Sequence, residues 1–472
     1  MDFQLKLYPY QEKAVLDIRA AYRQGYKAPL FVLPTGGGKT VIFSYIAYHA
    51  AAKGNRILIL THRQELLDQS SDTLKKFGVP HGFIIAGRPA SDHPVQIASV
   101  MTLVRRIEQY QQAPDLIIGD EFHRSLGQQS WAKVLRHFSG SRILGMTASP
   151  IRLDGSGLGV SCGGFNDILL EGPNVQALID GGYLSRPDVY APPVGADLDN
   201  LHMQAGDYKR GEMDAAINKP KIHGNALEHF TRICPSVQAI AFCVSVKHAE
   251  NLAEEFDSHG FHSKAIHGAL PKQDRDQMMT AFRNGHIQVL TSCDLIGEGI
   301  DVPAVTCGIM LRPTASLGLW IQMTGRILRP FPGKERAIIL DHTNNVDRHG
   351  LPTEIREWSL EGVKRRKKSG PKEEEQPIKY RTCHKCYAVY LVNRSACPQC
   401  GTPMQLSARE IAEVEGRLKK VEEGRQRTNR RREEGMAKSM AELIEVGKKR
   451  GYKNPRGWAW FKTQARLRKQ RN

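Results

Sequence analysis

Three short strings in this chain of 472 residues carry side chains suited to handling phosphate. Leu33-Pro34-Thr35-Gly36-Gly37-Gly38-Lys39-Thr40 offers backbone amides, an ammonium and a hydroxyl, with Leu33 where the strict nucleotide-loop pattern has its first glycine. A strand, a glycine-rich turn, Lys-Thr and then a helix wrap amides around phosphates and aim the helix N-terminus at them. Asp120-Glu121-Phe122-His123 follows an apolar run; Asp120 suits magnesium, and Glu121 suits orienting or deprotonating water. Gln322-Met323-Thr324-Gly325-Arg326-Ile327-Leu328-Arg329 adds two arginines. Singly, a glycine turn or an acidic helix cap has a plainer reading. Together they describe one ATP site split between two domains.

Short apolar runs position these strings. Leu30–Leu33, Ile57–Leu60, Val95–Ala98, Leu116–Gly119 and Ile143–Met146 each end where a motif begins, the pattern of parallel strands buried on both faces with ligand groups at their carboxyl ends. The glycine-rich stretch Asp154–Gly164 reads as an inter-domain loop. Alternation resumes with runs beginning at Ala239, Ser263, Gln288, Val305 and Arg336. The expected architecture is α/β: two tandem RecA-like parallel-sheet domains at 1–183 and 184–352, a charged linker at 353–379, a zinc ribbon at 380–404 and a basic helical tail at 405–472.

The ordered motifs of residues 5 to 350 resemble those of the superfamily 2 helicases of the DExH group. Leu7-Tyr8-Pro9-Tyr10-Gln11 resembles the adenine-reading motif, Thr61 to Leu66 motif Ia, Ile97 to Val100 motif Ic and Thr147-Ala148-Ser149-Pro150 motif III. Ala241 to Ser245, Ile266-His267-Gly268, Gly297 to Pro303 and Gln322 to Arg329 resemble motifs IV to VI in order. The resemblance implies that Gln11 reads adenine, that Pro34, Thr35, Gly36, Gly37, Gly38, Lys39, Thr40, Gly299 and Asp301 bind nucleotide, and that Thr40 and Asp120 hold magnesium. It places Lys39, Asp120, Glu121, Gln322, Arg326 and Arg329 in catalysis, with Arg329 as the arginine finger, and implies nucleic-acid contacts by Thr61, Arg63, Ser99, Ser245, His267 and Thr291. His123, the TASP string and Glu298 are closer to RadD-like, phage-encoded and restriction-translocase motors than to DEAD-box RNA helicases. Those departures favour DNA, with RNA as an alternative, and leave the motif V contacts least secure.

Cys383-x-x-Cys386 and Cys397-x-x-Cys400 form two knuckles that can set four thiolates around zinc, with His384 facing solvent. The other five cysteines read as small core residues. The formal charge of +18 is uneven: residues 1–354 hold 36 Lys and Arg against 35 Asp and Glu, and residues 355–472 hold 31 against 14. The basic last quarter therefore reads as a phosphate-binding surface, or more plainly as a solvated tail. Trp458 and Phe461 near the end suit stacking on bases or, more simply, a mini-core with the apolar positions Met440, Leu443, Ile444 and Gly447. No stretch has the ~18 apolar residues of a membrane span, so the expected location is the cytoplasm.

The expected function is an ATP-dependent DNA helicase or translocase of replication, recombination or repair, using ATP, Mg²⁺ and Zn²⁺. Its expected partners are single-stranded or branched DNA and the proteins of those pathways. The alternatives are a duplex translocase that leaves strands paired, an RNA helicase, and an adaptor with an ATP-driven clamp.

Overall fold

A computed structural model describes residues 6–62, 64–89, 91–110, 112–124, 129–152, 155–192, 198, 201–204, 206–294, 302–362, 380–403, 437, 439–449, 454–457, 459–460 and 462–463. They fall into two compact units. The larger takes in the chain through Lys372 and returns for Tyr380–Leu391 and Cys397–Cys400, and the smaller holds Val392–Ala396 and the residues from Gly401 onward.

Two parallel sheets build the larger unit. The first contains β1 (Pro29–Val32), β2 (Ile57–Thr61), β3 (His81–Ile84), β4 (Val95–Ser99), β5 (Leu116–Asp120), β6 (Arg142–Thr147) and β7 (Ile168–Glu171), in the order β3-β4-β2-β5-β6-β1-β7. The second begins with β8 (Arg186–Tyr190). After a small ribbon of β9 (Met203–Gln204) and β10 (Asp207–Tyr208), it continues with β11 (Ala239–Cys243), β12 (Ser263–His267), β13 (Val289–Cys293), β14 (Cys307–Met310) and β15 (Arg336–Asp341), in the order β12-β13-β11-β14-β15-β8. These are two RecA-like domains.

Helices α1 (Pro9–Arg23), α2 (Lys39–Ala51), α3 (Gln64–Lys76), α4 (Val100–Arg106) and α5 (Gln129–His137) accompany the first sheet. The second is accompanied by α6 (Val175–Asp180), α7 (Arg210–Ile217), α8 (Pro220–Ile233), α9 (Val246–Ser258), α10 (Lys272–Arg283), α11 (Leu317–Ile327) and α12 (Asn345–His349). Leu178 of α6 packs into the core of the second sheet, whereas β7 pairs with β1. The passage between domains therefore lies between Glu171 and Val175, a little before the expected boundary at 183.

The glycine-rich stretch is not an inter-domain loop. It precedes β7 within the first domain and forms a groove that receives a strap of residues 351–362 returning from the second. Gly159 N donates to Leu360 O at 2.9 Å, and a Cβ on Gly157 would lie 1.9 Å from that same carbonyl, so only glycine admits the strap. Leu360 packs against the first domain's core, while Arg356 Nη2 donates to His349 O at 3.0 Å in the second. Thus residues 353–362, expected to be linker, are docked structure; residues 363–379 lie outside the described part.

In the smaller unit the helix Met440–Lys449 buries Leu443 against Ala437 and Ala459. Trp458 and Phe461, expected to fill a core against this helix, and the basic segment 404–436 lie outside the described residues.

Candidate ATP cleft and four-cysteine centre

Each phosphate-handling string sits at the carboxyl end of a parallel strand or faces one across the domain boundary. Gly36 and Gly38 adopt φ of 87° and 83°, which turns successive amides inward after β1. Leu33 fits the first-glycine position because Gly37 makes room: a Cβ there would lie 2.8 Å from Leu33 Cγ. Lys39 opens α2 nearly buried, its Nζ donating to Leu33 O at 3.3 Å. Tyr10 hydroxyl donates to Gly37 O at 2.9 Å, and Gln11 is 3% exposed beside Gly38. Tyr8 and Tyr10 pack on Tyr183, with ring centroids 4.7 and 4.8 Å away.

Phe122 anchors the acidic pair. Its ring is fully buried where Gly119 and Gly145 have no side chain, and it meets Trp131 edge-on at 5.8 Å. Burial of such a ring contributes about 1.5–3 kcal/mol, enough to hold the turn in which Glu121 takes a φ of 49°. Glu121 Oε2 then lies 3.3 Å from His123 Nδ1 and accepts from Gln322 Nε2 at 3.4 Å, across the domain boundary. Thr147 donates its hydroxyl proton to Ser149 O at 2.9 Å, so its 3.0 Å contact with His123 Nδ1 requires Nδ1 to carry the hydrogen. His123 thereby joins the acidic pair to the TASP string, a link with no signal in the sequence beyond the histidine itself.

The second domain closes the site. A Cβ on Gly325 would lie 2.5 Å from Thr35 Cβ, and one on Gly36 would lie 3.3 Å from Arg329 Cγ. Between the domains lies a cavity of about 650 Å³ lined by seven cationic side chains, Arg326 and Arg329 among them, and five acidic ones, including Asp120 and Glu121. That excess of two positive charges, with one magnesium ion, matches the charge of a triphosphate. The buried ammonium, the inward amides and Asp120 fit ATP with its metal. Sequence reasoning missed Lys76, Lys272, Arg275 and Arg283 in this lining, because helices far apart in the chain bring them there.

The expected nucleic-acid residues divide. Thr61, Ser99 and His267 stand at the carboxyl ends of β2, β4 and β12. Thr291 is fully buried within β13 and donates to Ala249 O at 2.7 Å, so it serves the fold and cannot touch a strand. Ser245 caps α9, accepting from His248 N at 3.0 Å and donating to Asp214 Oδ1 at 2.5 Å; its hydroxyl is committed, and that carboxylate would repel phosphate. Arg63, Gly299 and Asp301 lie outside the described residues.

The four cysteines converge. Their Sγ atoms lie within 4.8 Å of one another, with Cys383–Cys400 and Cys386–Cys397 at 3.6 Å. Four sulfurs about 2.3 Å from zinc in a tetrahedron stand about 3.8 Å apart, so the donor set fits the ion. Burial, and then neighbouring thiols, push the Cys386 thiol up, an effect that a central cation reverses. His384 is exposed. β16 (Tyr380–Thr382) and β17 (Val389–Leu391) carry the first knuckle, which meets β8 through Ala191 N donating to Tyr387 O at 2.9 Å.

Two RecA-like domains with phosphate-binding groups on both faces of their cleft define a two-domain P-loop NTPase. Residues 4–152 match the family described as type III restriction enzyme, res subunit, and residues 225–330 the helicase conserved C-terminal domain. A 51.5 kDa protein of a Lactococcus phage (isolate 7-9) is 32% identical over 390 residues, 82% of this chain and 81% of that protein. IRC3 of Saccharomyces cerevisiae (strain ATCC 204508 / S288c), predicted to be an ATP-dependent helicase, is 31% identical over 353 residues, 70% of this chain but only 50% of its own length. Among solved structures, a fragment of a protein predicted to be the HsdR subunit of a type I restriction enzyme from Vibrio vulnificus YJ016 shares the fold, with a TM-score of 0.55 and 23% identity over 75% of this chain and 69% of that one. The chain belongs to the superfamily 2 helicases, nucleic-acid-dependent ATPases. No helix among the described residues is long and apolar enough to cross a membrane.

Proposed function

We propose that this protein couples ATP hydrolysis to movement along DNA, as a helicase or translocase of replication, recombination or repair. The observation that carries the reading is the closed, two-sided cleft: Glu121 bonded to Gln322 of the opposite domain, with Gly36 against Arg329. Lys39, now resting on Leu33 O, would turn to the β- and γ-phosphates, and Thr40 and Asp120 would hold magnesium, which neutralises developing charge. Gln322 and His123 both engage Oε2 of Glu121, leaving Oε1 to orient water and accept its proton. Arg329, with Arg326, would stabilise the transition state, a role that contributes 10³–10⁵ in rate in related chemistry. Loss of the γ-phosphate removes what holds the arginines, and the cleft relaxes.

DNA is supported over RNA by the match to a restriction-enzyme subunit; the basic last quarter would add affinity for either through phosphates. Ser99, half-buried at the end of β4, is the strand contact proposed among the described residues; Thr61 is as buried as Thr291, and His267, nearly buried, lies 3.6 Å from Glu250 Oε1. Steady-state ATPase titrated with single-stranded DNA, duplex, forks and RNA tests the reading; stimulation by RNA alone would overturn it. The restriction-subunit match also favours a second form, translocation along intact duplex, and displacement of a triplex strand without unwinding would select it.

A further inference from the structure

Lys334 lies outside every motif, yet it is one of the most heavily bonded cations in the described chain. Its Nζ donates to Val305 O at 2.5 Å, Ile327 O at 2.6 Å and Arg329 O at 2.8 Å, with Pro303 O at 3.4 Å. The turn Pro330–Gly333, in which Gly333 takes a φ of 80°, folds the chain back so that Lys334 reaches beneath the end of α11. Burial, and then the charge of Arg329, push its pKa down to about 7; acceptance by carbonyls favours the charged form.

We infer that Lys334 is a positioning residue for hydrolysis, fixing Arg329 and the Pro303–Val305 segment as one rigid wall of the ATP cavity. This rests on the proposed role of Arg329. A lysine over the last carbonyls of a helix is ordinarily a C-terminal cap, and Ile327 and Arg329 alone would satisfy that description. Pro303 and Val305 do not belong to the helix: they precede β14, and Pro303 lines the cavity together with Arg329. One ammonium thus joins two separate parts of the cavity wall from behind, without itself lining the cavity. Ser185 completes the bracket, its N donating to Leu328 O at 2.7 Å and its hydroxyl to Arg329 O at 3.4 Å.

The test compares Lys334→Met, Lys334→Gln, Lys334→Arg and Arg329→Ala in the full-length protein, with ATP and a single-stranded DNA oligonucleotide. A misplaced arginine loses transition-state contacts while the phosphate loop still binds ATP. Lys334→Met should therefore lower kcat by about tenfold or more, with KM for ATP within about twofold. Lys334→Arg should recover more turnover than Lys334→Gln, which decides the matter even if the methionine variant fails to fold. A Lys334→Met kcat within twofold of the parent, beside an inactive Arg329→Ala, overturns the inference and leaves the site reading standing. Full turnover in Arg329→Ala overturns both.

Discussion

Replacing Gly325 with alanine sets two energies against each other. Gly325 lies inside α11, where alanine is favoured by about 0.8–1 kcal/mol whether the cleft is open or closed. In the closed cleft the new methyl would sit 2.5 Å from Thr35 Cβ, against the 3.5–4.0 Å at which carbon atoms rest. Both are Cβ atoms fixed by their backbones, so no rotamer change relieves the clash and the domains must part by about 1 Å. Overpacking of this kind costs about 1–3 kcal/mol, or roughly 5- to 150-fold in kcat if only the closed state hydrolyses ATP. Steady-state ATPase on saturating DNA should therefore fall within that range, with thermal stability unchanged or raised. Gly224→Ala in α8, whose Cβ would meet nothing within 4 Å, supplies the propensity gain without the clash and should retain full kcat. A Gly325→Ala enzyme turning over within twofold of the parent would refute closure through this contact.

Four further outcomes are expected. Lys39→Ala should abolish ATP binding, whereas Arg329→Ala should bind a nonhydrolysable analogue normally in equilibrium titration and turn over at least 10³-fold more slowly. Glu121→Gln should hold an ATP-loaded state on DNA, visible as slowed release in filter binding; unchanged turnover would count against its role. Metal analysis of purified protein should find one zinc per chain, with Cys383→Ser reducing it. Finally, burial and then His223 push His248 down to about 3. The unfolded chain binds that proton below pH 6.5 and the native one does not, so the histidine's contribution is lost as pH falls, by about 2 kcal/mol between pH 7 and 5. Denaturant melts of the parent and His248→Gln at both pH values should differ by that amount.

Much of this was legible because parallel strands buried on both faces leave uninterrupted apolar runs: β2, β4 and β5 extend their runs by one residue each. Of the edge strands β12 was legible, but β3, β7 and β8 were not. β7 and β8 read Ile-Leu-Leu-Glu and Arg-Pro-Asp-Val-Tyr, the first too short and the second too polar to stand out before its neighbour in the sheet is known. Thr291 was misplaced because a hydroxyl at a motif position does not reveal whether it faces solvent or a carbonyl. The glycine-rich stretch shows the same limit, since glycines that make a flexible turn and glycines that clear a path for Leu360 have the same composition. His123 and Lys334 gain their meaning from acceptors outside their own strings, Thr147 at 24 residues and Val305 and Pro303 at 29 and 31.

The strap sets a limit on how widely the motor can gape. Arg356 is fastened through its guanidinium to one domain and Leu360 through its carbonyl to the other, and the four Cα-to-Cα steps that join them reach about 14 Å when fully extended. While both anchors hold, those two points can separate no further than that. On the proposed movement along DNA, a tether this short would hold the two domains from falling fully open between one ATP and the next.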